Sequence, residues 1–249
     1  MPKILNISAY LFVEISDPEA VQHWFKKICA ASDIKGTILV ATEGINLFLA
    51  ATVEVITGVL QQIQSDPRFA NLTPKNSWSD NQPFKKMRVK VKREIITMKH
   101  PQIRPVSQRA PAVSAIDLKR WLDQGHDDDG LAIALLDTRN AFETQIGSFV
   151  GAIDYQTKSF SDFPDAVLQA RKDLEGKRVV TFCTGGIRCE KAALWMQNEG
   201  IENVTQLDGG ILKYFETAGQ SHYQGDCFVF DDRIAVDANL VPHQSQKPV

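Results

Sequence analysis

Residues 178–199 set a short apolar run, Arg178-Val179-Val180-Thr181-Phe182, directly before Cys183-Thr184-Gly185-Gly186-Ile187-Arg188 and a segment of helix formers from Cys189 to Glu199. A β-branched run too short for a helix and bounded by glycines reads as a buried strand. A strand that passes straight into a helix belongs to a parallel α/β sheet, which constrains the fold of the whole second half of the chain. It also fixes where chemistry sits, because such sheets bind ligands at the carboxyl ends of their strands. Cys183 falls there. Gly185 and Gly186 allow positive φ, so the backbone N–H groups of Thr184, Gly185, Gly186 and Ile187 can converge on one point, with the positive end of the next helix behind them. That cradle favours a thiolate, and Arg188 adds a fixed charge and a fork of donors. A cysteine that merely packs needs neither two glycines nor an arginine within five residues. Cys183 is therefore read as a reactive thiol. Cys189 has two readings, a resolving thiol for a sulfur adduct on Cys183 or a packing residue in the first helical turn.

Four residues separate Cys183 from Arg188. A phosphate-binding loop of this kind needs five, whereas four suit a single sulfur, so a phosphatase fits less well. The other two of the four cysteines, Cys29 and Cys227, lie in a helical pattern and beside Phe228 and Phe230, where core burial is the default reading. Four cysteines in 249 residues without dense spacing do not form a disulfide framework, and a nucleophilic thiol requires a reducing compartment. In Met1–Tyr10, Asn6 and Ser8 interrupt the apolar stretch, so no signal peptide is read, and no run has the length to span a bilayer. The expected location is the cytoplasm, with no membrane association.

The length favours two domains. The first half reads as strand, helix, hairpin, helix, strand, with Asp17-Pro18-Glu19 and Thr52 opening the helices and Thr42-Glu43-Gly44 turning the hairpin. Its last strand, Lys86–Lys92, alternates Met87, Val89 and Val91 with Lys86, Arg88, Lys90 and Lys92. This order predicts an α+β, ferredoxin-like βαββαβ sandwich over residues 1–98. Residues 99–111 hold Pro101, Pro105 and Pro111 without a period and read as a linker. Residues 112–240 alternate strands and helices, predicting a parallel sheet covered by helices on both faces, and 241–249 form a polar, frayed tail. Asp137 and Arg139, at the end of an earlier strand, either orient the Cys183 loop from its flank or form a structural ion pair.

Charge is unevenly distributed. Residues 84–104 carry Lys85, Lys86, Arg88, Lys90, Lys92, Arg93, Lys99 and Arg104 against Glu94 alone, in a chain whose formal net charge is −2. A basic strip on an acidic body fits either a polyanion site, with Lys85, Lys86, Arg88, Lys90 and Lys92 as its phosphate contacts, or the wet face of an edge strand. No dinucleotide fingerprint follows the first strand of either half, and His126-Asp127-Asp128, although it has the spacing of two iron ligands, reads as an ordinary acidic turn. No cofactor or metal site is identifiable.

The second half resembles a rhodanese domain through Leu136-Asp137-Thr138-Arg139, Gly151-Ala152-Ile153, the Cys183–Arg188 loop and Leu207-Asp208-Gly209-Gly210-Ile211. Over nearly its whole length the chain resembles the rhodanese-domain tRNA uridine hydroxylases, the oxygen-dependent tRNA hydroxylation protein O type. The residues that carry this are Thr42-Glu43-Gly44-Ile45-Asn46, Lys86-Met87-Arg88-Val89-Lys90, Cys183 to Ala192, and Gly225 to Asp231. Longer members of that family carry a cysteine-containing carboxyl-terminal extension. The resemblance implies 5-hydroxylation of the wobble uridine of tRNA, dioxygen as co-substrate, and Cys183 as the thiolate or persulfide-bearing residue, charged by a sulfur donor where a persulfide forms. The alternatives are a sulfurtransferase acting on a small thiol or protein acceptor, which would use the same loop, and a non-catalytic RNA-binding or regulatory module.

Overall fold

The computed structural model describes residues 3–242; the polar tail falls, from residue 243 on, outside the described residues. The chain divides into two units, one running to Thr97 and including Phe230–Arg233, the other formed by the remainder.

The first unit runs β1 (Ile4–Phe12), α1 (Pro18–Ala30), β2 (Lys35–Ala41), β3 (Gly44–Ala51), α2 (Val53–Gln64), β4 (Lys75–Ser79) and β5 (Met87–Val91). The sheet order is β4-β1-β3-β2-β5. Register explains the layering: Leu5 pairs with Ala51, Ile7 with Leu49 and Ala9 with Leu47, so one face of the sheet is continuously apolar. That face packs in one core with Val21, Phe25 and Ile28 of α1 and Ile56, Val59 and Ile63 of α2. Cys29 joins this core, as its helical spacing implies. Thr52 caps α2 by accepting from the Val55 N–H, while the Asp17 side chain makes no cap bond to α1 and pairs with Arg68 instead.

The βαββαβ expectation holds for the first four strands with one correction. The fourth strand is Lys75–Ser79, and the basic strand is a fifth, added in parallel to β2 at the sheet edge. Its alternation is as read: Val89 is buried, and Arg88 and Lys90 are exposed.

The second unit runs β6 (Ala112–Val113), α3 (Ala115–Gln124), β7 (Ile133–Asp137), α4 (Ala141–Thr144), β8 (Gly147–Phe149), α5 (Phe163–Gln169), β9 (Arg178–Phe182), α6 (Ile187–Asn198), β10 (Val204–Leu207), α7 (Gly210–Ala218), β11 (Tyr223–Gly225), β12 (Cys227–Phe228) and β13 (Ala235–Val236). The four-stranded sheet β6-β10-β9-β7 is parallel throughout. Leu135, Val180, Phe182 and Leu207 turn to the face covered by α3 and α7, packing with Leu118, Ile211 and Phe215. The alternate residues Val179 and Thr181 are buried as well, as a strand covered on both faces requires.

The stretch expected to be a linker has no helix or strand but is packed into the second unit. Ile103 and Ala110 are buried, Arg109 bonds Glu190 and Asp208, and the Thr205 hydroxyl donates to the Pro111 carbonyl. Prolines suit such a segment because it need donate few backbone hydrogen bonds.

Candidate active site

β9 ends at Phe182, whose carbonyl accepts both the N–H and the hydroxyl of Thr138, each at 3.0 Å. The loop that follows is fixed from the opposite side by the first turn of α7. The Ile211 N–H donates to the Cys183 carbonyl at 2.9 Å and the Leu212 N–H to the Thr184 carbonyl at 3.0 Å. With these carbonyls held by α7, the Gly186 N–H reaches Cys183 Sγ at 3.1 Å, and of the four loop N–H groups expected to converge it is the one bonded to the sulfur. Two glycines make this possible. Gly186 caps α6 at φ +97°, and at Gly210, φ +67°, a Cβ would stand 2.4 Å from the Cys183 carbonyl oxygen.

Cys183 is 1% exposed. Burial alone would raise its pKa, but the hydrogen bond from the Cys189 thiol, the charge of Arg188 and the N–H groups of Arg188 and Gly186 outweigh burial and hold it at about 5. These donors favour the thiolate form of Cys183. Cys189, fully buried in the first turn of α6 with Thr138 Oγ1 at 3.8 Å, is pushed the other way by burial and by the neighbouring Cys183 sulfur. It keeps its proton and donates it. The two thiols therefore share a hydrogen bond, and both are free.

Arg188 is placed differently from the sequence expectation of a guanidinium devoted to the sulfur. Its fork grips Glu143, at 2.5 and 2.7 Å, while its charge acts on Cys183 through space. Glu143 is fully buried in α4, and its Oε1 also accepts the Asn140 N–H at 3.1 Å. Sequence reasoning missed Glu143. The available signal was the Asn140-x-x-Glu143 spacing, a capping pattern that folds the carboxylate back over its own helix start.

Asp137 and Arg139 form a fully buried pair with Nη2 at 2.7 Å from Oδ2. Arg139 also donates to the Gly147 carbonyl at 2.7 Å, and the Ser148 hydroxyl donates to Asp137 at 2.7 Å, so this pair ties β7 to β8. Thr138 between them bonds the Phe182 carbonyl at the end of β9 and lies 3.8 Å from Cys189 Sγ. Cys227 is buried near Thr184, and burial pushes its thiol up to about 12. Lys85, Lys86, Arg88, Lys90 and Lys92 are all exposed on or beside β5 of the first unit. Asp127 is engaged by Arg178 at 2.6 Å and by the Asp129 and Leu131 N–H groups, and among the described residues no group of three or more His, Cys, Asp or Glu side chains could hold a metal ion. No helix among them is long and apolar enough to cross a membrane.

A parallel sheet covered on both faces, with a cysteine loop closed by an arginine after its third strand in sequence, defines a rhodanese-like domain, and residues 114–217 match the model of that domain. Residues 4–95 match the UPF0176 acylphosphatase-like domain. Relatives extend over both. The chain is 58% identical over 240 residues to the tRNA uridine(34) hydroxylase of Cupriavidus taiwanensis, covering 96% of this chain and 85% of that one. It is 57% identical to the protein of the same name from Variovorax paradoxus, covering 96% and 91%. A third, from Paraburkholderia xenovorans, is 54% identical over 246 residues, covering 97% and 86%. The chain belongs to the tRNA uridine(34) hydroxylase family.

Proposed function

We propose that this protein is a tRNA-modifying oxidoreductase that hydroxylates uridine 34 of tRNA at carbon 5, with dioxygen as co-substrate. Family membership over both units supports the reaction; the loop geometry alone would serve a sulfurtransferase equally well. The observation that carries a role for Cys183 is that its buried sulfur accepts the Gly186 N–H at 3.1 Å at the start of α6, where the Cys189 thiol and the charge of Arg188 also lower its pKa. Cys183 works as the thiolate, or as a persulfide where a sulfur donor charges it, and Arg188 balances the sulfur's negative charge. Glu143 fixes the guanidinium and so positions that charge. The exposed basic face of β5 takes tRNA phosphates, which orients the substrate without identifying the base. The enzyme works in the cytoplasm, where tRNA is abundant and thiols stay reduced.

Nucleoside mass spectrometry of tRNA from cells lacking the gene, and from the same cells complemented with wild type or Cys183→Ala, tests this. Wild type restores 5-hydroxyuridine-derived nucleosides and Cys183→Ala does not. Restoration by Cys183→Ala would remove the thiol from the reaction, and no restoration by wild type would overturn the function.

A further inference from the structure

The nucleophile loop offers its substrate no flat surface, since Thr184-Gly185-Gly186-Ile187 contains no aromatic residue. One lies beside it. Phe142 of α4 packs edge-to-face on Phe228 of β12, with ring centroids 5.2 Å apart and planes at 83°. This contact covers one ring face of the pair, and Phe142 stays 37% exposed. Both rings are tethered to the loop within one residue. The carboxylate of Glu143, next to Phe142, holds Arg188, and the Phe228 carbonyl accepts the Thr184 hydroxyl at 3.4 Å. The Phe142 ring is held at the rim of a loop whose substrate is read as an RNA base. A single-stranded base is gripped in general by stacking on an aromatic face after it leaves the helical stack.

We infer that Phe142, backed by Phe228, is the platform on which the uracil ring of the substrate stacks beside the Cys183 loop. The inference rests on the proposed tRNA substrate. Stacking holds a base without identifying it, so the role is positioning of a splayed-out nucleobase and not discrimination of uracil from cytosine.

The test uses the full chain and two anticodon stem-loop RNAs that differ only in carrying uridine or an abasic site at position 34. Base-on-aromatic stacking makes wild type bind the uridine RNA at least about fivefold more tightly than the abasic one. Phe142→Ala and Phe142→Leu remove that preference, and Phe142→Tyr and Phe142→Trp retain it. The circular dichroism spectrum and the rate of Cys183 alkylation stay unchanged in all four, and Phe142→Leu, which keeps an apolar contact with Phe228 without a flat ring, separates stacking from a packing role. Equal binding of the two RNAs by wild type, a preference that survives in Phe142→Ala, or rescue by leucine as complete as by tyrosine would each overturn the inference. Hydroxylation of the uridine RNA is followed in parallel: a wild type that leaves it unmodified refutes the proposed reaction, while the binding comparison still decides the stacking.

Discussion

Cys183, Cys29 and Cys227 are all buried, yet burial carries Cys29 to about 11 and Cys227 to about 12 while Cys183 lies at about 5. Donors make the difference. Only Cys183 combines N–H groups from a helix start, a neighbouring thiol and a guanidinium. Its alkylation by iodoacetamide is therefore expected to rise with a midpoint near pH 5, against about 8.5 for an ordinary thiol. Arg188→Met moves the midpoint upward; a wild-type rate that stays flat until pH 8 contradicts the assignment. The sign for stability follows from a folded value depressed below the unfolded one. Ionisation of Cys183 stabilises the fold fully above the unfolded pKa, and this contribution is lost as pH falls through about 5. Wild type thus gains stability over Cys183→Ser as pH rises from 5 to about 8.5, measurable by urea unfolding. The cysteine loop was legible because its glycines, thiol and arginine are contiguous. Glu143 was not, because it lies 45 residues from Arg188 and only the packing of α4 brings the two together.

At the scale of elements, the strand most visible in the sequence and the one least visible lie at opposite edges of one sheet. β5 announces itself by alternation of apolar and basic residues. β4, Lys75-Asn76-Ser77-Trp78-Ser79, shows no apolar alternation because Ser77 and Ser79 are buried through hydrogen bonds rather than greasy contact; the Asn6 amide donates to Ser79 at 2.9 Å. Periodicity detects only strands whose inward face is apolar. The register of β5 on β2 pairs Arg88 with Thr37 and Lys90 with Leu39, placing these cations on the sheet face opposite Ile38, Val40 and the helices. A triple reversal, Lys86→Glu with Arg88→Glu and Lys90→Glu, is expected to weaken tRNA binding and lower the slope of log K against log salt by about 2 to 3. Because these side chains are exposed, circular dichroism and Cys183 alkylation stay as in wild type. Unchanged affinity and slope would assign the strip to edge protection instead.

At the scale of the whole molecule, the chain is not two consecutive beads. Phe230–Arg233 belong to the first unit although nearly all of the second separates them from it in sequence. Arg233 pairs with Asp231 at 2.6 Å, their side chains 7% and 5% exposed, and donates to Ser77 of β4 at 2.8 Å, while Phe230 lies 6.3 Å from Phe48. Arg233→Ala leaves the Asp231 carboxylate buried without its cation, a loss of about 3–5 kcal/mol for a pair of this kind. It is expected to speed amide hydrogen exchange in β4 and to leave β9 unaffected; equal protection of β4 in both proteins would show that the segment carries no weight there. The sequence by itself determined the fold class of both halves, the parallel strand that ends at Cys183 and the thiol-binding loop, because backbone propensity, side-chain alternation and glycine placement act over a few neighbouring residues. Only the tertiary structure decided that Glu143 holds Arg188, that Cys189 lends its proton to Cys183, that α7 fixes the loop carbonyls, and that residues 230–233 complete the first unit. Glu143 and Arg188, Ile211 and Cys183, and residues 230–233 and β4 lie far apart in the chain and meet at hydrogen-bonding distance, and no local pattern encodes that meeting; the Cys189 proton depends on how burial and donors divide charge between two near neighbours.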